Sequence, residues 1–162
     1  METNDIPPPR AEIRLQELGL AYDCTEVGNM ERLVARCRGQ FLYIPEKRSW
    51  AHWKGDRWSI CGNATIFQAG LQTARTLFDE ARDCQTEEGR RRLGQWAISS
   101  QSDRRITSMI RMASKNPSMV GHLDGFDTNP FHLNCANGIV DLKTGAVRPH
   151  YVKATLMHYV AG

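Results

Sequence analysis

Hydrophobic residues in the middle of the chain recur with the 3.6-residue period of an α-helix. This pattern predicts a helix over residues 64–82, with an apolar stripe that faces the core. The stripe and the positions that widen it comprise Ile66, Phe67, Leu71, Ala74, Leu77 and Phe78.

Two further helices are predicted after this one. Leu93, Trp96 and Ala97 indicate a helix over residues 87–98. Another begins near Ser102, a residue type that caps helix N-termini, and ends at Asn116-Pro117, because proline disfavours helical geometry in the residue before it. Its apolar positions follow helical spacing and are Ile106, Met109, Ile110 and Ala113.

The N-terminal half predicts a helix followed by a small antiparallel sheet. Asn29 is a suitable N-cap, and apolar residues at helical spacing follow it as far as Gly39, which can end the helix in a left-handed conformation. Aromatic and β-branched residues then flank a glycine-containing turn, which is typical of strands. The expected strands span residues 41–44, 49–53 and 57–60.

Two tight-turn signals in residues 128–150 predict a double hairpin. The pair Asn137-Gly138 suits the two central positions of a type I′ turn, because both residue types reach positive φ. Residues 143–145, ending in glycine, supply the second turn. Alternation along the strand between the turns places Val140 and Leu142 on one face and Asp141 on the other.

These elements predict an α+β fold, in which a small antiparallel sheet and hairpins pack with a bundle of about three to four helices. Residues 1–22 contain three consecutive prolines and a weak helical pattern over 10–18, and we expect them to form a leader or linker. Because the chain ends just after an apolar stretch, we also expect it to be a piece of a longer protein. The remainder, 23–162, divides into an α/β part (23–62), a helical part (64–116) and a hairpin part (128–162).

Composition narrows the class of protein. The 162 residues suffice for one domain with a substantial core, and no apolar run reaches the ~20 residues of a membrane-spanning helix. The start lacks a signal-peptide pattern, which favours a cytoplasmic location. The five cysteines are an odd number without a CxxC pair, so we interpret them as reduced thiols rather than a disulfide or zinc framework.

Positive charge is concentrated on the predicted helices, although the chain has a net charge of only +3. A local basic face can bind phosphate groups, whereas a solvated helix surface is the alternative interpretation. Glu87, Glu88 and Asp103 oppose this charge in the same region. The candidate nucleic-acid-binding cations are Arg90, Arg91, Arg92, Arg104, Arg105, Arg111 and Lys115.

The tryptophans of the predicted sheet have two possible roles. Exposed aromatic rings are stacking platforms for single-stranded nucleic acid, whereas large apolar rings also close the core of a small sheet. We expect at least two of Trp50, Trp53 and Trp58 to be core residues. Since Trp50 and Trp53 lie three positions apart on one strand, they should point to opposite faces, and Trp53 is the candidate for base stacking.

The sequence contains no motif of known catalytic chemistry. It has no GxxxxGK[ST] loop for nucleotide phosphates, no HExxH and no GxSxG. His122 with Asp124 and Asp127 is a candidate metal-ligand set, but side chains in such turn-rich segments usually bond to their own backbone. Cys135 near His132 is a candidate nucleophile, for which burial in a strand is the competing interpretation.

Three segments carry a family resemblance: GNMERLV (28–34), WAHWKGDRW (50–58) and NPFHLNCANGIVDLKTGAVRPH (129–150). In this order they resemble the region just before the helicase motor of phage- and plasmid-type primase–helicases. That group includes satellite-phage primases and the large poxvirus primase–helicase. The resemblance extends from about residue 26 to the end of the chain, and its most specific part is NCANGIVDLKTG followed by RPH.

The resemblance implies a parent protein with a primase module, this linking domain and a superfamily 3 AAA+ helicase that forms a ring around DNA. The parent would use ATP and Mg²⁺, whereas this chain has no Walker motif and no DxD pair, so we expect no catalytic residue, cofactor or metal in it. Expected partners are single-stranded or forked DNA, further copies in a ring, and the primase and helicase modules of the same chain, with no membrane. The implied function is non-catalytic support of ring assembly and guidance of DNA to the motor during DNA replication.

Two other functions stay open at this stage. One is a self-contained, metal-dependent primase or nuclease using Asp124, Asp127 and Asp141, whose carboxylates would have to converge within a few ångströms. The other is a pure protein-interaction domain without DNA contact. DNA binding by the isolated chain distinguishes that last function from the leading hypothesis.

Overall fold

Four α-helices and two three-stranded antiparallel sheets make up residues 20–150, the part of the chain that the computed structural model describes. The predicted α+β class is therefore confirmed. The helices are α1 (Glu26–Cys37), α2 (Asn63–Asp83), α3 (Glu87–Ser100) and α4 (Asp103–Ala113). The strands are β1 (Phe41–Ile44), β2 (Ser49–Trp53), β3 (Trp58–Cys61), β4 (His132–Cys135), β5 (Gly138–Asp141) and β6 (Val147–Arg148).

The helical pattern over residues 10–18 and the end of the hairpin part, 151–162, lie outside the described residues. The division into domains stays a prediction. Within the described residues, the predicted helices and strands are all present, with ends that differ by a few residues at most. Ser102 occupies the N-cap position of α4 as predicted, although its side chain accepts no capping hydrogen bond.

The first sheet is a meander of β1, β2 and β3 that contains aromatic cross-strand pairs. Tyr43 pairs with Trp50, and Trp53 pairs with Trp58. Trp50 packs in the helical core, whereas Trp53 and Trp58 pack on the other face of the sheet, as alternation along β2 predicts. Trp50 and Trp58 are 4% and 3% exposed, which confirms that at least two of the three tryptophans are core residues.

The second sheet, in the order β4-β5-β6, contacts the first through Ile139 and Asn134. Ile139 on β5 packs against Trp53. The side-chain amide of Asn134 on β4 donates a hydrogen bond to the carbonyl oxygen of Asp56, at 3.1 Å, in the β2–β3 turn. The buried face of β5 is therefore the one that carries Ile139. Leu142, which strand alternation predicted to lie on the opposite face, is 55% exposed.

The first hairpin turn lies one residue earlier than predicted. Cys135 pairs with Gly138, so Ala136 and Asn137 form the loop and Gly138 opens β5. In the described part of the chain, the non-glycine residues with positive φ are Arg48 and Asp127. Asn137 does not have the positive φ that a type I′ turn at Asn137-Gly138 needs, so this predicted turn is wrong. Gly138 has a φ of 144°, and a Cβ there would collide with the carbonyl oxygen of Arg148 on β6. Its positive φ and the close approach of the β6 backbone both require glycine at this position.

The helices enclose the main core, but the buried face of α2 is rotated away from the predicted stripe. Phe78 is 44% exposed and Phe67 is only partly buried. The buried positions instead include Gly70 and Thr73, because α4 approaches so closely at Gly70 that a Cβ there would lie 3.0 Å from Ile106. The small residues of α2 therefore determine which face packs against α4, and the spacing of large hydrophobic residues does not indicate that face.

The N-cap of helix α1 lies four residues before the predicted one. Thr25 is the N-cap, and its hydroxyl oxygen accepts a hydrogen bond from the amide of Gly28 at 3.1 Å. Asn29, predicted as the cap, is 1% exposed inside the helix. Its Nδ2 donates to Ser100 Oγ at 2.9 Å, and its Oδ1 accepts from Trp96 Nε1 at 2.8 Å. Asn29 therefore connects α1 to α3, where buried polar partners outweigh its preference for a helix end.

Arg32 connects α1 to α2 and to the segment before α1. Its side chain is 3% exposed, and its guanidinium donates from Nε and Nη2 to the carboxylate of Glu80 at distances from 2.8 to 3.0 Å. It also donates to the carbonyl oxygens of Asp23, at 2.8 Å, and Tyr22, at 3.0 Å. The carbonyl of Asp23 lies so close to Gly28 that a Cβ there would collide with it. Segment 28–34 thus has an architectural role.

Candidate functional site

Two arginines and two hydroxyl side chains line the outer face of α4 and the residue that follows it. Arg104, Thr107, Arg111 and Ser114 follow one another at helical spacing and therefore share one face. Arg104 and Arg111 are exposed, and neither guanidinium group forms a hydrogen bond or an ion pair with any other residue in the range 20–150. Both guanidinium groups are free to contact a ligand, and we call these four residues the α4 face.

Two cavities adjoin along the α4 face. The larger, about 490 Å³, lies between the start of α1 and α4, and we call it the α1–α4 cleft. It is lined by Glu26, Asp103, Arg104, Thr107, Ser108 and Arg111. The hydroxyl of Ser108 donates to Glu26 Oε2 at 2.8 Å, which fixes that carboxylate in place. The cleft thus contains two carboxylates, from Glu26 and Asp103, as well as the two guanidinium groups of Arg104 and Arg111.

The second cavity, about 360 Å³, lies between the first sheet, the start of α2, and α4; we call it the β1–α4 cavity. Its walls include the aromatic rings of Tyr43, Trp50 and Phe67, and its polar lining includes Asn63, Thr107 and Arg111. Thr107 and Arg111 line both cavities, so the two form neighbouring parts of one surface. The described lining of the β1–α4 cavity contains no carboxylate.

The structure separates the predicted cations of α3 from those of α4. Arg90 donates to the carbonyl oxygen of Cys84 at 3.2 Å, and Arg92 donates to Asp23 Oδ1 at 3.3 Å. Arg91 is exposed and makes no hydrogen bond or ion pair with the described residues. These three arginines lie near the start of α3, beside the end of α2. The residues Thr107, Arg111 and Ser114 of the α4 face instead line a cavity whose other walls come from the first sheet and the start of α2.

Of the remaining predicted site residues, Arg105 and Trp53 make contacts within the fold, whereas Lys115 is exposed. The guanidinium of Arg105 lies 4.6 Å from the centre of the Trp96 ring and donates to the carbonyl oxygen of Ser99 at 3.1 Å. Lys115 is exposed, just after α4. Trp53 is half-buried, with its ring 5.6 Å from that of Trp58. Arg105 and Trp53 therefore have internal packing roles, and Lys115 extends the exposed positive charge.

Sequence reasoning identified the cations of the α4 face but missed the walls of the β1–α4 cavity. Tyr43 and Phe67 come from β1 and α2, which are distant from α4 in the sequence. Thr107 carried a usable signal, since it lies at helical spacing between Arg104 and Arg111. The aromatic walls had none, because only the packed sheet brings them to this helix.

The predicted acidic candidates serve local structure. Among residues 20–150, no three His, Cys, Asp or Glu side chains gather as a metal site. His122 Nδ1 lies 2.8 Å from Glu46 Oε1, and this hydrogen bond lowers the pKa of Glu46. Asp141 accepts hydrogen bonds from the amides of Lys143 and Thr144, and the first of these lowers the pKa of Asp141.

The other two acidic candidates lie in the turns before β4. Asp124 is exposed in a short 3₁₀ turn, and Asp127 adopts a positive φ of 51°. The structure thus does not bring Asp124, Asp127 and Asp141 together as a two-metal site needs.

The candidate nucleophile has no histidine partner within the described residues. Cys135 and His132 lie three positions apart on β4, so their side chains point to opposite faces. His132 Nε2 instead lies 3.1 Å from Asn129 Nδ2. Burial raises the pKa of the Cys24 and Cys37 thiols, which disfavours the reactive thiolate there.

The described residues do not fit ATP with Mg²⁺. The sequence has no phosphate-binding glycine loop, and residues 20–150 contain no carboxylate cluster for a divalent ion. We therefore assign no step of ATP hydrolysis to this chain. None of the helices in the described part is long and apolar enough to cross a membrane.

The family model described as "D5 N terminal like" matches residues 30–161, which is most of the chain. A search of the curated proteins finds no match.

Proposed function

Because the chain belongs to the D5 N-terminal-like family, whose members precede the helicase domain of D5-like primase–helicases, we propose that it contacts single-stranded or forked DNA through the α4 face and guides it to the motor. The family resemblance inferred from the three sequence segments is thereby confirmed. The ATP-dependent motor lies in a separate module of the parent protein under this proposal, and the cytoplasm is the expected location.

The proposal rests on one observation: the guanidinium groups of Arg104 and Arg111 are free of internal partners among the described residues and lie beside two adjoining cavities. Arginine donors match the geometry of phosphate oxygens and retain their charge at all physiological pH values. Cations without an internal partner can neutralise DNA phosphates without first breaking an ion pair. Arg91 and Lys115 add exposed charge on α3 and after α4.

The double variant Arg104→Gln/Arg111→Gln is expected to bind a fluorescent single-stranded oligonucleotide at least about tenfold more weakly at fixed salt, which corresponds to roughly 1.4 kcal/mol. Both residues are exposed, so the free energy of unfolding should change little. Fluorescence anisotropy measures the affinity.

Arg75→Gln is the matched control, because Arg75 is an exposed arginine of α2 outside both cavities. It should bind nearly as tightly as the wild type. Equal weakening by the control and the double variant would contradict a role for the α4 face.

Support for ring assembly comes from family membership alone. We propose that the domain associates with further copies of itself when the whole protein is present. Light scattering of the chain with and without DNA oligonucleotides reports assembly and binding together. Association without any DNA binding would favour a pure protein-interaction domain instead.

A further inference from the structure

The β1–α4 cavity has the features of a pocket for a single flat ligand. Its volume of about 360 Å³ falls in the range of roughly 300–1,000 Å³ that is usual for small-ligand sites. The rings of Tyr43 and Trp50 meet edge to face, with centres 5.4 Å apart, and Phe67 adds a third ring from α2. An apolar wall with a few polar groups excludes water and fixes the orientation of a ligand.

We propose that this cavity receives one unstacked base of single-stranded DNA while Arg111 binds the phosphate of the same nucleotide. The proposal rests on the proposed function and deepens it by adding base contact to phosphate contact. Aromatic rings accept any base by stacking, and the amide of Asn63 and the hydroxyl of Thr107 can hydrogen-bond to its edge.

The position of Arg111 supports a nucleotide rather than an isolated base. Arg111 lines the β1–α4 cavity and the α1–α4 cleft, and Arg104 lies further along the cleft. A strand whose backbone follows the two arginines would present a base to the cavity mouth. The described lining contains no carboxylate that would repel the phosphate there.

The test compares two oligonucleotides of equal length, an oligothymidylate and the same strand with abasic residues, which keep the phosphates but lack bases. Since stacking of one base contributes a factor of about five or more, the wild-type chain should bind the oligothymidylate at least about fivefold more tightly. Phe67→Ala should remove most of this preference while the salt dependence stays unchanged.

Phe78→Ala is the control for the loss of a phenyl ring, because Phe78 is on the same helix, is 44% exposed and lies outside the cavity. It should keep the wild-type preference. Thr107→Leu, at an exposed position, narrows the cavity without removing a core side chain, and it should weaken oligothymidylate binding more than abasic binding. Far-ultraviolet circular dichroism confirms that each variant is folded.

Equal affinity of the wild type for both oligonucleotides, with dependence on Arg104 and Arg111 intact, would overturn the base pocket and leave the proposed function standing. Failure of both oligonucleotides to bind would overturn both. Thymidine monophosphate carries the same base and phosphate as a free nucleotide. If it displaced the strand as effectively, per nucleotide, as unlabelled oligothymidylate, the site would belong to a free nucleotide and the proposal would be wrong.

Discussion

Replacing Arg32 with methionine is expected to lower the free energy of unfolding by about 3 kcal/mol, near the lower end of what the loss of one partner costs in a buried ion pair. The variant leaves the carboxylate of Glu80 and the carbonyl oxygens of Tyr22 and Asp23 without their donor. Glu80 is 28% exposed and can recover some hydration, which holds the cost at that lower end. Urea unfolding followed by circular dichroism measures it.

Arg82→Met is the matched control for this variant. Arg82 pairs with Asp79 and Asp83, but all three side chains are more than 60% exposed, so we expect no measurable change in the unfolding midpoint. A shift of similar size in both variants would show that Arg32 acts as an ordinary surface charge, which contradicts its assigned role.

Replacing Gly28 with alanine is expected to lower the free energy of unfolding by about 1–3 kcal/mol, although alanine is the better helix former. The new Cβ would collide with the carbonyl oxygen of Asp23, which is backbone and is held by Arg32. Relief of the collision requires the segment before α1 to move away from the helix. Thermal and urea unfolding both report the loss.

Gly94→Ala provides the opposite case. Gly94 lies inside α3 with no atom near its missing Cβ, so alanine should raise the free energy of unfolding by about 0.5–1 kcal/mol. Changes of the same sign in both variants would show that helix propensity, rather than close approach at Gly28, determines the outcome.

Periodicity and turn residues were sufficient to predict the elements of this fold because those signals are local. Where tertiary partners decide, the predictions failed. Asn29 has the chemistry of a helix cap, but Trp96 and Ser100, both distant in sequence, bind it inside α1. The hairpin turn lies one residue earlier than Asn137-Gly138, and Gly138 instead stands in β5 where the backbone of β6 comes close.

Residues that carry the family resemblance differ in role from those of the candidate site. Gly28 and Arg32 hold α1 to its neighbours, while Asn134 and Gly138 hold the second sheet in place. The sequence pattern that identifies the family therefore reflects how the fold is held together. The α4 face has only helical spacing as its signature, which is why sequence alone could nominate its arginines but could not separate them from a solvated helix surface.

The most direct test of DNA contact through the α4 face is the salt dependence of oligonucleotide binding by the wild-type chain. Each phosphate contact to a single strand contributes about −0.7 to the slope of log K against log salt concentration, so two arginine contacts predict a slope of roughly −1.4 or steeper. Arg104→Gln/Arg111→Gln should flatten it by about the same amount. A wild-type affinity that does not change with salt would contradict the account.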